Sequence, residues 1–202
     1  MDIDEIVRDT VRYRSYFEST GGGVTISGGE PTLHMEFISE LLQRFKAEKI
    51  HTLLQTSGFF HLETFETLVL PHLDIIHFDI KLINPDEHQR YCGVSNARIL
   101  KNFVALHSKP DKSFLLKPRT PLIPGITDTD DNIRAITEFY VANNVQKAVL
   151  QLNNPVWLDK SEHLGRKPSP ELKSQLGSFY DTDKSLRIKD VFLKRGIEIT
   201  LE

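Results

Sequence analysis

Short apolar runs alternate along the chain with stretches whose apolar residues recur every three or four positions. Residues 2–18 carry Ile3, Ile6, Val7 and Val11 at helical spacing, so one opening helix is predicted there. Gly21-Gly22-Gly23 leads into a short strand, Val24-Thr25-Ile26, and a helix follows with Phe37, Ile38, Leu41, Leu42 and Phe45 on one side. A strand over residues 51–55, a helix over 61–70 and an Ile-rich strand over 74–79 come next. Ser95 or Asn96 reads as the N-cap of a helix that buries Ile99, Phe103 and Leu106. A strand over 114–119 precedes a helix over 130–141 carrying Ile133, Ile136 and Tyr140. The last pieces are a strand over 147–152, a polar loop to Pro170, a helix over 185–195 and a strand over 197–201. Strands alternating with amphipathic helices imply right-handed βαβ units and a parallel sheet. Six strands suit an α/β fold, either an open doubly wound sheet or a partial (β/α) barrel. The opening helix has no strand before it, which reads as a missing first strand in such a repeat.

Polar residues gather where five consecutive strands are predicted to end. The groups are Ser27-Gly28-Gly29-Glu30-Pro31, Gln55-Thr56-Ser57-Gly58, Asp79-Ile80-Lys81, Pro118-Arg119-Thr120 and Gln151-Leu152-Asn153-Asn154. In parallel α/β folds the C-terminal strand edge is where ligands bind. Each group alone has a plain structural reading. Gly28-Gly29 suits a tight turn or a close backbone approach to a ligand. Glu30 adds a carboxylate acceptor to that loop and suits an ammonium group. Thr56-Ser57-Gly58 reads equally as a turn with a helix cap or as a ligand contact. Asp79 and Lys81 share strand parity and fit either a salt bridge or a ligand site. Arg119 is a natural partner for a ligand carboxylate, or a rim charge balancing Asp79 or Glu30.

Composition narrows the class. The 202 residues are 39% hydrophobic and 26% charged, with a net charge of −3, ordinary for one soluble globular domain and not for a nucleic-acid partner. No apolar run is long enough to span a membrane, and the acidic opening Met1-Asp2-Ile3-Asp4-Glu5 is unlike a secretory or transit signal. Cys92 is the only cysteine, which excludes a disulfide framework, a cysteine-rich zinc site and a cysteine-held iron–sulfur cluster within this chain. A lone thiol fits a reducing cytoplasm, and with no activating neighbour it reads as inert. His34, His61 and His107 fall at helix surfaces or ends, and His77 lacks further ligands, so no metal site is predicted. Residues 128–132 resemble the start of a calcium loop, but Ile133 and Phe139 stand where Gly and Glu are needed. Acids complementing a helix dipole explain that run.

Gly23-Val24-Thr25-Ile26-Ser27-Gly28-Gly29-Glu30-Pro31 resembles the Gly-Gly-Glu-Pro strand of radical S-adenosylmethionine (SAM) enzymes. Further matches follow in order: Gln55 to Phe59, Asp79-Ile80-Lys81, His88 with Gly93-Val94-Ser95-Asn96, Arg98-Ile99-Leu100, and Arg119 with Leu122 to Asp128. Over residues 6–152 the chain is similar to the activases of glycyl radical enzymes, the pyruvate formate-lyase type among them. The resemblance implies a partial (β/α)₆ barrel of the radical SAM type, with residues 1–202 as a single truncated core domain. It implies reductive cleavage of S-adenosylmethionine at a 4Fe–4S cluster, giving a 5′-deoxyadenosyl radical that takes a hydrogen from a glycine of the partner enzyme. It also implies an electron donor such as flavodoxin or ferredoxin. By the same resemblance Gly28, Gly29 and Glu30 hold the amino group of the methionine moiety, with Pro31 beside them in the cofactor-binding loop. Thr56, Lys81 and Arg119 contact its carboxylate and nearby polar atoms, Asp79 helps form a monovalent-cation site, and Asn154 lies at a further ligand contact.

Two departures qualify this picture. The family's Cys-x-x-x-Cys-x-x-Cys triplet is absent, together with the first strand that precedes it, so the chain is expected to be a fragment that holds no cluster and does not turn over. Gln55 stands where the family often has an acid and Asn154 where it often has a histidine, which suggests a divergent relative. Two other readings remain: a Schiff-base lyase using Lys81, and a non-catalytic barrel that binds a partner enzyme. If the first strand is missing, the strand over residues 24–27 is an edge, either self-associating or covered by another segment.

Overall fold

The protein is described by a computed structural model covering residues 2–156, 158, 165 and 169–202. Residues 157, 159–164 and 166–168, within the expected polar loop, lie outside the described residues. Six strands, β1 (Gly23–Ile26), β2 (His51–Thr56), β3 (Ile75–Asp79), β4 (Leu115–Leu122), β5 (Lys147–Leu152) and β6 (Glu198–Leu201), form one open sheet in sequence order. The registers of β1 with β2, β2 with β3, β4 with β5 and β5 with β6 are all parallel. The chain divides into two compact units, Met1–Asp79 with Ala97–Lys117 and Ile80–Asn96 with Pro118–Glu202.

In the first unit the helices are α1 (Ile3–Val11), α2 (Arg14–Thr20), α3 (Met35–Ala47), α4 (Leu62–Leu68) and, after the excursion through the second unit, α6 (Ala97–His107). A single opening helix was expected, but the chain breaks at Arg12 and Tyr13, where the Tyr13 N–H bonds back only three residues, to Thr10. Phe17 of α2 joins Ile6, Val7, Val11, Val24 and Ile26 around the buried Ile3, Leu41, Phe45 and Ile50. β1 is the edge strand expected from the sequence, and α1 and α2 supply apolar residues to the cluster it packs in. α3 buries Ile38, Leu41, Leu42 and Phe45 as expected, but Phe37 is exposed because it falls outside that stripe. The centre of this unit is aromatic: Phe60 stacks on Phe65 with centroids 4.1 Å apart, and Phe78 meets Phe103 edge-on at 5.4 Å.

The second unit contains α5 (Pro85–Cys92), α7 (Asp130–Ala142), α8 (Pro170–Leu176) and α9 (Thr182–Leu193). The sequence pattern missed α5 and α8. α5 is short and polar, announced only by Pro85 at its start, the Asn84 side chain capping the Asp86 and Glu87 N–H groups, and left-handed Gly93 at its end. β4 was expected to end at Arg119 but continues to Leu122. The Arg119 carbonyl accepts from the Ile80 N–H, so odd-numbered residues of β4 bond on that side. Pro121 stands two residues further on, past the last such pairing, where a missing donor costs the ladder nothing.

Asp128 also departs from expectation. It is not a helix-dipole acid: it is 1% exposed and accepts from the Gly125 N–H at 2.7 Å, the Tyr180 hydroxyl at 2.6 Å and the Lys184 ammonium at 2.5 Å. Thr129 caps α7 instead, and Asp130 and Asp131 occupy its first turn. Burial, then the hydrogen bond to Asp128 and the nearby Asp128 and Asp181 charges, push the Tyr180 phenol well above its ordinary range. The clamp therefore joins the loop after β4 to the start of α9. Asp128→Ala should lower unfolding stability by about 2–4 kcal/mol, because the half-exposed Lys184 can rehydrate but the Tyr180 hydroxyl loses its acceptor. Tyr180→Phe should cost about 1 kcal/mol. Urea titration of both variants checks this, and an unchanged midpoint for Asp128→Ala would remove the clamp from the account.

Candidate functional site

In the first unit the C-terminal ends of β1, β2 and β3 lie on one edge of the sheet, because the three strands are parallel. The residues expected there are found there: Gly28, Gly29, Glu30 and Pro31 follow β1, Thr56 ends β2 and Asp79 ends β3. Gly28 has φ +132°, a conformation that a side chain rarely adopts, and a Cβ at Gly28 or Gly29 would meet no atom within 4 Å. These glycines therefore bare the backbone toward open space.

Glu30 is the centre of this edge. One carboxylate oxygen accepts from the Thr32 N–H at 3.2 Å and the Thr32 and Thr56 hydroxyls at 2.6 and 2.8 Å. The other accepts from the Ser57 N–H at 2.7 Å and the Ser57 hydroxyl at 2.5 Å. Burial alone would raise the Glu30 pKa, but the hydrogen bonds from Ser57, Thr32 and Thr56 outweigh it and hold the group below its ordinary value of 4.5. Glu30 is thus an ionised acceptor tying the loop after β1 to the end of β2. Ser57 and Thr32 were not singled out as site residues, since Thr56-Ser57-Gly58 also reads as a turn. That turn exists too. The Thr56 hydroxyl accepts the Gly58 N–H, and the amide of buried Asn102 donates to the Gly58 and Phe60 carbonyls. Gly58 has φ +79°, and a Cβ there would lie 2.0 Å from the Phe78 ring.

The second unit holds Lys81, Arg119 and Asn154. Arg119 lies within β4 opposite Val149 and is 6% exposed, not at the strand end. Lys81 is half-buried in the segment preceding α5. Two buried asparagines, Asn96 of the matched motif and Asn132, fix that segment. Asn132 donates to the Lys81 carbonyl at 2.9 Å and accepts from the Ile83 N–H at 3.1 Å, while Asn96 donates to the Leu82 and Ile83 carbonyls, both at 2.8 Å. His88, part of the matched motif, is buried with its Nδ1 donating to the Val94 carbonyl, so it scaffolds this region. Asn154 is exposed and its side-chain oxygen accepts from the Val156 N–H in a local turn. Burial pushes the Cys92 thiol up, against the Lys81 charge, in keeping with an inert thiol. No group of three metal-ligating side chains occurs among the described residues, and none of the described helices is long and apolar enough to cross a membrane.

The profile of the radical SAM superfamily matches residues 1–136. The chain belongs to that superfamily. It is 37% identical over 139 residues to the (2S)-3-sulfopropanediol dehydratase activating enzyme of Klebsiella oxytoca, covering 69% of this chain and 43% of that one. It is 36% identical over 169 residues to the indoleacetate decarboxylase activating enzyme of Tractidigestivibacter scatoligenes, covering 82% and 51%. It is 35% identical over 170 residues to the pyruvate formate-lyase-activating enzyme of Staphylococcus epidermidis, covering 81% and 66%. The chain thus spans about half to two thirds of the length of these relatives. Among solved structures, a domain of a pyruvate formate-lyase-activating enzyme from Bacteroides vulgatus superposes with a TM-score of 0.67 at 24% identity, covering 90% of this chain and 99% of that one. This bears out the partial-barrel fold.

The Glu30 network makes a pH-dependent contribution. A carboxylate whose folded pKa lies below its unfolded value stabilises the fold fully above the unfolded value and loses that contribution as pH falls through the folded one. The stability difference between the wild type and Glu30→Gln should therefore be largest near neutrality and shrink below about pH 4.5. Urea unfolding at stepped pH measures it; a difference independent of pH would mean that the ionised form has no special place in the network.

Proposed function

We propose that this chain supplies the S-adenosylmethionine-binding portion of an activase that installs a glycyl radical on a partner enzyme. The observation that carries the reading is the ionised Glu30 at the end of the Gly28–Glu30 loop, in a superfamily chain whose curated relatives are named activating enzymes. Its residue types fit a zwitterionic ligand. Glu30 offers a fixed negative acceptor to the methionine ammonium, and the hydroxyls of Thr32, Thr56 and Ser57 can turn to accept from it as well. Lys81 and Arg119 are assigned to the ligand carboxylate, Asp79 to a monovalent cation, and Asn154 to a further polar contact. Gly28 and Gly29 leave backbone N–H groups accessible beside the ammonium site.

The residues present do not fit a 4Fe–4S cluster. Such a cluster calls for cysteine thiolates, and the sequence holds Cys92 alone. This chain's share of the chemistry is to bind and orient the sulfonium ligand. The reading places the protein in the cytoplasm, with a glycyl radical enzyme as protein substrate and flavodoxin or ferredoxin as electron donor. That the curated relatives are named activating enzymes favours this reading over a Schiff-base lyase built on Lys81.

Equilibrium dialysis of the full chain with radiolabelled S-adenosylmethionine tests the site. Saturable binding, competed by S-adenosylhomocysteine and weakened about tenfold by Glu30→Gln through loss of the charged acceptor, is the expected outcome. Binding that Glu30→Gln leaves intact, or no binding at millimolar ligand, would overturn the assignment.

A further inference from the structure

A groove of about 590 Å³ runs between α7 and α9 in the second unit. That volume lies in the range of about 300–1,000 Å³ usual for binding clefts. Its floor is apolar: Ile133 and Ile188 are buried there, and Val191 is 41% exposed between them and solvent. Its walls are cationic. Arg134 is held by Asp131 at 2.6 Å and Lys184 by Asp128 at 2.5 Å. The other two cations of the groove, Arg187 and Arg195, have no ion-pair partner among the described residues. Among the described residues of the lining, Asp130 is the only acid.

The spacing of the two unpaired guanidiniums limits what fits. Arg187 lies within α9 and Arg195 two residues past its end, with Val191 midway between them in the sequence. An exposed valine between them serves no purpose for a purely ionic ligand. Two unpaired cations at a chain net charge of −3 are also too few for a nucleic-acid backbone, whose affinity grows with the number of phosphates neutralised. An elongated ligand with carboxylates at either end and an apolar side chain between them satisfies all three features. From this charge complementarity we infer that the α7–α9 groove docks an acidic, amphipathic peptide segment of a partner protein. Its carboxylates meet Arg187 and Arg195, and its apolar side chain covers Val191. The groove shares no residue with the Glu30 network.

The test uses the full chain and a short fluorescein-labelled helical peptide with two glutamates eight positions apart and leucines between them. Fluorescence anisotropy should show saturable binding. Arg187→Glu combined with Arg195→Glu should weaken it about tenfold or more, as removal of complementary charges does. Arg187→Lys should retain most of the affinity, and Val191→Ser should lose several-fold. All three positions are exposed, and circular dichroism confirms that the variants fold. Chemical-shift changes on peptide addition should centre on Ile133, Ile188 and Val191. Failure of the peptide to saturate, equal binding by the charge-reversed variant, or equally strong displacement by inorganic phosphate or a single-stranded oligonucleotide would overturn the inference.

Discussion

A carboxylate placed among protein atoms at a strand end has to be neutralised by proton, cation or hydrogen bonds. Glu30 takes the last route, accepting from two backbone N–H groups and three hydroxyls. Those bonds give the loop after β1 its shape. Gly28 and Gly29 have no side chains with which to hold themselves, so their position depends on Glu30 being fixed immediately after them and on β2 supplying Thr56 and Ser57 across the strand pair. The parallel register of β1 and β2 makes this possible, because it brings both strand ends to the same edge. A ligand ammonium arriving there meets an acceptor already ionised and oriented. The hydroxyl donors can rotate away to accommodate it, while the two N–H donors keep the carboxylate in place.

The second unit solves the same problem of fixing a loop by a different chemistry. Asp128 binds the loop after β4 to α9 through a buried carboxylate with an ammonium, a phenol and an amide N–H around it. It contributes to architecture, and its saturated oxygens leave no room for a ligand. Glu30 and Asp128 are both carboxylates held by several hydrogen bonds, Asp128 buried and Glu30 partly so. What separates them is the neighbourhood: rotatable hydroxyls and open space beside Gly28 in one case, a closed clamp in the other.

Much of this was legible in the sequence. The period of apolar residues located all six strands, and the clustering of polar groups at their predicted ends located Glu30 and Thr56 on a common edge. What stayed illegible depends on tertiary contact. The break at Tyr13 leaves no mark in the apolar pattern, which stays in helical register from Ile3 to Phe17. The extension of β4 through Pro121 depends on which side of the ladder each residue bonds. α5 has too few apolar residues to show a helical stripe. Ser57, Asn96 and Asn132 look like ordinary turn and helix-start residues, and their partners lie 27, 14 and 51 positions away in the sequence.

The asparagines have a consequence of their own. The segment carrying Lys81 is fastened through amide groups, which neither gain nor lose a proton in water and whose dipoles are little screened by dissolved ions when buried. Its fastening adds no net charge to the local field, only fixed dipoles. The mooring of Lys81 therefore stays constant across acidity and ionic strength, whereas the Glu30 loop, held by a charge, answers to both.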